Sequence, residues 1–106
     1  MVQLEIQYFM GCPHSEEALF LIRDYNDAYP GTKIKITKIH DDNDAKKAGF
    51  RGSPTILING EDLYDEPEPD DPRMACRLYP NGLPTMQEFE NIIVTKLHRK
   101  LLKNEG

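Results

Sequence analysis

Two cysteines in 106 residues are too few to staple a small secreted scaffold, and a reducing compartment would leave both as thiols. No apolar run approaches the length of a membrane span. The opening Met1-Val2-Gln3-Leu4-Glu5 has neither a cationic leader nor a long apolar core. Excess positive charge is missing as well: the formal net charge is −5, which argues against a nucleic-acid surface. His14 next to Cys12 suggests metal at first sight, but no second ligand cluster completes a four-coordinate site. These absences leave a single cytoplasmic domain, without metal, membrane or nucleic acid, long enough for one modest core.

What is present reads as alternating strands and helices. Val2, Leu4, Ile6 and Tyr8 alternate with Gln3, Glu5 and Gln7, which predicts a strand over 2–9. Over 13–29 the period becomes helical, with Ala18, Leu21, Ile22, Tyr25 and Tyr29 on one stripe, until Pro30-Gly31 ends it. A second strand is expected over 33–39. Asp41-Asp42-Asn43-Asp44 then starts a short polar helix ending near Gly49. Thr55-Ile56-Leu57-Ile58 suits a buried strand, and Asn59-Gly60 signals a tight turn. Residues 61–73 hold Pro67, Pro69 and Pro72 among seven Asp and Glu, and read as a solvated acidic loop.

Met74 to Tyr79 resumes strand character. A last helix carries Met86, Phe89, Ile93, Leu97 and Leu101 on one face. Its basic end, Lys96, His98, Arg99, Lys100 and Lys103, complements the helix dipole. The order is β-α-β-α-β-β-α. The βαβ unit makes the first two strands parallel, and the last two can pair antiparallel. The expected α/β fold is a four-stranded mixed sheet with helices on both faces. The helix over the Gln3, Glu5 and Gln7 face is short and polar, so that side is thinly covered.

Cys12 closes the first strand and opens the first helix in Tyr8-Phe9-Met10-Gly11-Cys12-Pro13-His14-Ser15. A helix N-terminus offers unpaired N–H groups and a partial positive charge, which favour thiolate over thiol. Pro13 suits the first helical position. His14 adds to the effect when protonated, while Glu16 and Glu17 oppose it by like-charge repulsion. Ser15 stands where a two-thiol redox motif has its second cysteine. Its hydroxyl can donate to a thiolate, but it cannot attack a mixed disulfide, because exchange needs a thiolate.

This order, with Cys-Pro-His closing the first strand and Gly52-Ser53-Pro54-Thr55 entering the third, resembles the thioredoxin-like fold over nearly the whole chain. The resemblance implies a cis peptide before Pro54 and places Pro54 against Cys12. It also leaves the backbone of Ser53 free to pair with an extended thiol-bearing ligand in a groove shaped by Ser53, Pro54 and Thr55. Without the resemblance, Pro54 reads as a trans proline starting a strand. The fuller pattern continues with Gly49-Phe50-Arg51-Gly52-Ser53-Pro54-Thr55-Ile56-Leu57-Ile58-Asn59-Gly60 and then Ala75-Cys76-Arg77-Leu78-Tyr79. It is similar to small bacterial thioredoxin-like proteins, some of which carry an alkylmercury-lyase-type label. That label implies thiolates attacking a metal–carbon bond with help from a nearby acid.

Three mechanisms fit these residues. Cys12 can act as a monothiol in thiol–disulfide exchange, with glutathione or another external thiol as co-substrate and resolving partner. Cys76 can instead be the resolving thiol, which requires Cα atoms within about 7 Å. Or the site no longer turns over and binds an extended peptide. Bland readings stand beside these: His14 as an exposed helix-start residue, Cys76 as a free buried cysteine, and Tyr8 and Phe9 as core. Arg51 and Arg77 either attract an anion such as glutathione or are ordinary surface arginines, and the acidic loop is a connector or a lid. No clear apolar patch marks a dimer, so a monomer or weak homodimer is expected.

Overall fold

The computed structural model describes residues 2–105, with side chains described through Leu102. Its elements are β1 (Gln3–Tyr8), α1 (Ser15–Ala28), β2 (Lys33–Lys38), α2 (Asp42–Ala48), β3 (Thr55–Ile58), β4 (Glu61–Asp62) and α3 (Met86–Glu105). The sheet order is β2-β1-β3-β4. β1 runs parallel to β2, with Gln3 opposite Lys33, and antiparallel to β3, with Ile6 opposite Ile56. The α/β class and the mixed four-stranded sheet follow the pattern read from the sequence.

Alternation in β1 sends Leu4, Ile6 and Tyr8 to one face. There they pack with Ile56 and Ile58 of β3 against the stripes of α1 (Ala18, Leu21, Ile22, Tyr25) and α3 (Phe89, Ile93). The other face carries the smaller cluster of Ile39, Ala45 and Phe50, with Phe9 packed beside it. Asp41 caps α2 by accepting the Asp44 N–H, and Gly49 ends it at φ 62. This one short helix covers little. A trough of about 630 Å³, lined in part by Glu5, Gln7, Lys35 and Lys47, remains between it and the sheet.

Several expected details are corrected. The fourth strand is not Met74–Tyr79 but Glu61–Asp62, paired antiparallel with Ile58 and Leu57. Asn59 (φ 50) and Gly60 (φ 84) both take left-handed backbone, as a two-residue hairpin demands, and turn the chain straight back along β3. Residues 74–79 form no strand: among the described residues their one sheet-type pairing is an isolated parallel bridge between Ser53 and Cys76. α1 begins at Ser15 with His14 as its N-cap, so Pro13 lies ahead of the helix and not at its first position.

The apolar face of α3 ends at Leu97, because Leu101 is 61% exposed. Lys96 does not face solvent: its buried ammonium donates to Asp65 at 2.7 Å, and Arg99 adds a 3.4 Å bond to the same carboxylate. Lys103, the last member of the basic end, lies outside the described side chains. Among the described residues no helix is long and apolar enough to cross a membrane.

Candidate active site

Cys12 lies in the β1–α1 turn, where the Ser15 N–H donates to the Cys12 carbonyl and the Ala18 N–H to that of His14. Its side chain is largely buried, and its sulfur is bonded to Cys76 with the two Cα atoms 5.5 Å apart. The two cysteines are 64 residues apart in sequence. Cys76 is neither free nor buried: it is exposed on a strap, residues 74–79, whose Tyr79 side chain is buried.

The strap is fastened on both sides of its cysteine. Its N-terminal end is tied by Met74 N–H to Asp42 Oδ1 at 2.9 Å. In the middle, Ser53 N–H donates to the Ala75 carbonyl at 2.8 Å, and Arg77 N–H donates to the Ser53 carbonyl at 2.9 Å. At its far end the Tyr79 hydroxyl donates to the Pro54 carbonyl at 2.6 Å. Ser53–Pro54 is a cis peptide. Gly52, at φ +106, permits the close approach: a Cβ there would stand 2.8 Å from Arg77 Cβ and 3.0 Å from its backbone nitrogen. The backbone of Ser53 is therefore not free. It is paired with the chain's own Ala75-Cys76-Arg77.

In this disulfide-bonded state Ser15 is engaged by backbone and by a second hydroxyl. Its buried hydroxyl stands 3.2 Å from the Phe9 carbonyl and 3.1 Å from Ser53 Oγ. Ser53 Oγ in turn accepts the Phe9 N–H at 3.0 Å and lies 3.0 Å from the Phe9 carbonyl. Two short hydroxyls thus lock the end of β1, the start of α1 and the entry to β3 together. Thr55 braces the same turn, donating from its fully buried Oγ1 to the Gly52 carbonyl at 2.6 Å. His14 stands edge-on to Tyr79 with ring centroids 5.7 Å apart, and its Nδ1 is 3.5 Å from the Glu17 carboxylate.

The arginines offer no open anion cradle. Arg77 forks onto Asp62, with Nη1 2.6 Å from Oδ1 and Nη2 3.0 Å from Oδ2, and lies over the Tyr79 ring. Arg51 Nε donates to the Glu66 carbonyl at 2.7 Å and lies 3.9 Å from Asp62 Oδ1. Asp62 also accepts the N–H groups of Tyr64 and Glu66. Burial alone would raise its pKa. The Arg77 guanidinium and the two backbone donors outweigh burial and hold the carboxyl below the usual range. Burial likewise pushes the Tyr79 hydroxyl well above its ordinary value, so it stays a neutral donor.

Gly52 and Tyr79 belong to the motifs quoted above but were given no role there, and Asp62 carries no warning in the sequence. Asp62 is one acid among seven in its stretch, and only tertiary contact distinguishes it. Three apolar side chains, each two residues along the chain from one of the two cysteines, are exposed: Met10 62%, Met74 36% and Leu78 74%. Among the described residues no group of three or more His, Cys, Asp or Glu is placed to hold a metal ion.

Set beside known proteins, the chain matches no protein-family model. No curated protein matches it. Its function is read from the site.

Proposed function

We propose that this protein is a thioredoxin-like thiol–disulfide oxidoreductase in which Cys12 is the nucleophile and Cys76 the resolving thiol. The observation that carries the reading is the position of Cys76. It is within bonding distance of a cysteine in the turn just ahead of α1, on a segment paired with the backbone just before Pro54. In the reduced protein the Cys12 thiolate, favoured by α1, attacks one sulfur of a substrate disulfide R–S–S–R′. A Cys12–S–S–R bond forms and R′S⁻ leaves, taking up a proton. The Cys76 thiolate then attacks Cys12 Sγ, RS⁻ leaves, and the Cys12–Cys76 disulfide holds the two electrons' worth of oxidation. An external dithiol, or two thiols such as glutathione, resets the pair.

Ser15 cannot take the resolving part, because its hydroxyl is no thiolate and is occupied by Phe9 and Ser53. The organomercurial reading asks for a proton donor beside two thiols. Asp62, the buried carboxylate tied to the residue after Cys76, is held ionised and does not suit that role.

The test is trapping. Cys76→Ser, reduced and mixed with a peptide disulfide, should accumulate a Cys12–peptide mixed disulfide by intact mass. The unaltered protein should instead pass to an intramolecular disulfide, two mass units lighter than its dithiol form. Cys12→Ser should form neither. A Cys76→Ser protein that turns over as fast as the parent would remove Cys76 from the mechanism.

A further inference from the structure

The strap 74–79 occupies the groove in the manner of a substrate. Its Cys76 is joined to Cys12, the residue before it accepts a hydrogen bond from Ser53, and the residue after it donates one to Ser53. A substrate cysteine caught by Cys12 would have to take the place of Cys76. Its neighbours would then fall where Ala75 and Arg77 lie. The second of those places is chemically marked. Arg77 reaches a buried carboxylate whose remaining lone pairs are met by the N–H groups of Tyr64 and Glu66, and whose neighbour Arg51 stays behind when the strap leaves. A vacated Asp62 is a desolvated anion with fork geometry, which favours a guanidinium and penalises an acid or an apolar residue.

The surroundings agree. Residues 61–73 hold seven Asp and Glu against one Arg, a field that attracts cationic chains and repels anionic ones. The exposed Met10, Met74 and Leu78 supply apolar contact beyond what a small thiol would use.

Resting on the reading above, we infer that Asp62 is a specificity-determining residue selecting extended cysteine peptides with an arginine immediately after the cysteine. The strap's own Cys76-Arg77 is the built-in competitor for that site. The strap's return delivers Cys76 to Cys12 Sγ and displaces the bound peptide from Ser53 and Asp62 in the same motion.

The experiment uses blocked tetrapeptides activated as mixed disulfides with thionitrobenzoate, whose release is read by its colour. The Cys12 thiolate attacks the peptide sulfur, a Cys12–peptide disulfide forms, and thionitrobenzoate leaves. The proteins are Cys76→Ser, alone and combined with Arg77→Ala. The probes are Ala-Cys-Arg-Leu, Arg-Cys-Ala-Leu of equal charge, and Ala-Cys-Glu-Leu.

In the double variant Ala-Cys-Arg-Leu should react at least about tenfold faster than Arg-Cys-Ala-Leu, and faster still than the Glu peptide. The double variant should also outpace Cys76→Ser on Ala-Cys-Arg-Leu, because the competitor has lost its grip. Adding Asp62→Asn should erase the difference between the two equal-charge peptides. If that triple variant does not fold, the peptide comparison on the intact Asp62 still decides. Equal rates for Ala-Cys-Arg-Leu and Arg-Cys-Ala-Leu, with Cys12 reacting, overturn the specificity and leave the oxidoreductase standing. No reaction of Cys12 with any probe overturns both.

Discussion

Arg77 and Asp62 form a two-pronged, almost completely buried ion pair that ties the strap bearing Cys76 to the last strand of the sheet. Through it the Cys12–Cys76 disulfide, the acidic connector and the sheet edge become one unit. Breaking a buried pair by removing one partner leaves the other charge without compensation, at a cost of about 3 kcal/mol. Asp62→Asn should therefore lower the unfolding free energy, read from urea melts near neutral pH, by that order.

The same pair sets an acid limit. Asp62 titrates lower in the folded protein than in the unfolded chain, so its contribution is fully present above the unfolded value of about 4. It is lost as the pH falls through the lower folded value. Midpoints measured on descending pH should drop more steeply for the parent than for Asp62→Asn. Parallel curves would show that Asp62 contributes nothing to acid sensitivity.

At the alkaline end Tyr79 acts with the opposite sign. Its pKa is raised by burial, so the folded state keeps a proton that the unfolded chain releases above about 10. The stabilisation is whole below that pH and fades as pH rises toward the folded value. Tyr79→Phe should flatten this alkaline decline in thermal melts. It should also cost about 1–2 kcal/mol at lower pH, because the buried Pro54 carbonyl loses its donor.

Ser15 and Ser53 should differ in cost although they touch each other. Ser53→Ala strands the Phe9 N–H, which has Ser53 Oγ as its acceptor, and is expected to cost about 2 kcal/mol. Ser15→Ala leaves Ser53 free to keep both Phe9 bonds, and about 1 kcal/mol is expected. Denaturant melts of the two variants check the order. A larger loss for Ser15 would reverse the assignment of the anchoring hydroxyl.

Reduction should loosen the whole fold, not only the strap. A bond closing a loop between residues 64 apart restricts the unfolded chain by about 4 kcal/mol in the chain-entropy account. Oxidised protein should melt well above the same protein in reductant, and Cys12→Ser/Cys76→Ser should show no difference between the two conditions.

Much of this architecture was legible locally. Two-residue alternation marked β1, helical spacing marked α1 and α3, and the short, mostly apolar run Thr55–Ile58 marked a buried strand. Met74–Tyr79 misled because its mixture of apolar and polar residues resembles a strand. In the structure Leu78 faces solvent, and what holds the segment is a sulfur bond, an ion pair and two backbone bonds to Ser53. None of these has a period. Leu101 misled in the opposite way: the helical spacing continues past Leu97, the last α3 side chain packed against the core.

By itself, then, the sequence determined six of the seven elements, the turn between β1 and α1 that holds Cys12, and the absence of a second thiol in its motif. Those depend on neighbours within a turn or two of chain, where dihedral preference and side-chain period act directly. Only the tertiary structure decided that Cys76 meets Cys12, that Ser15 serves Phe9 and Ser53, and that Arg77 is spent on Asp62. Each of these joins residues far apart along the chain. Which of them meet is settled by where hairpin, sheet and strap leave their ends, and by which buried polar groups still lack a partner when the core has closed.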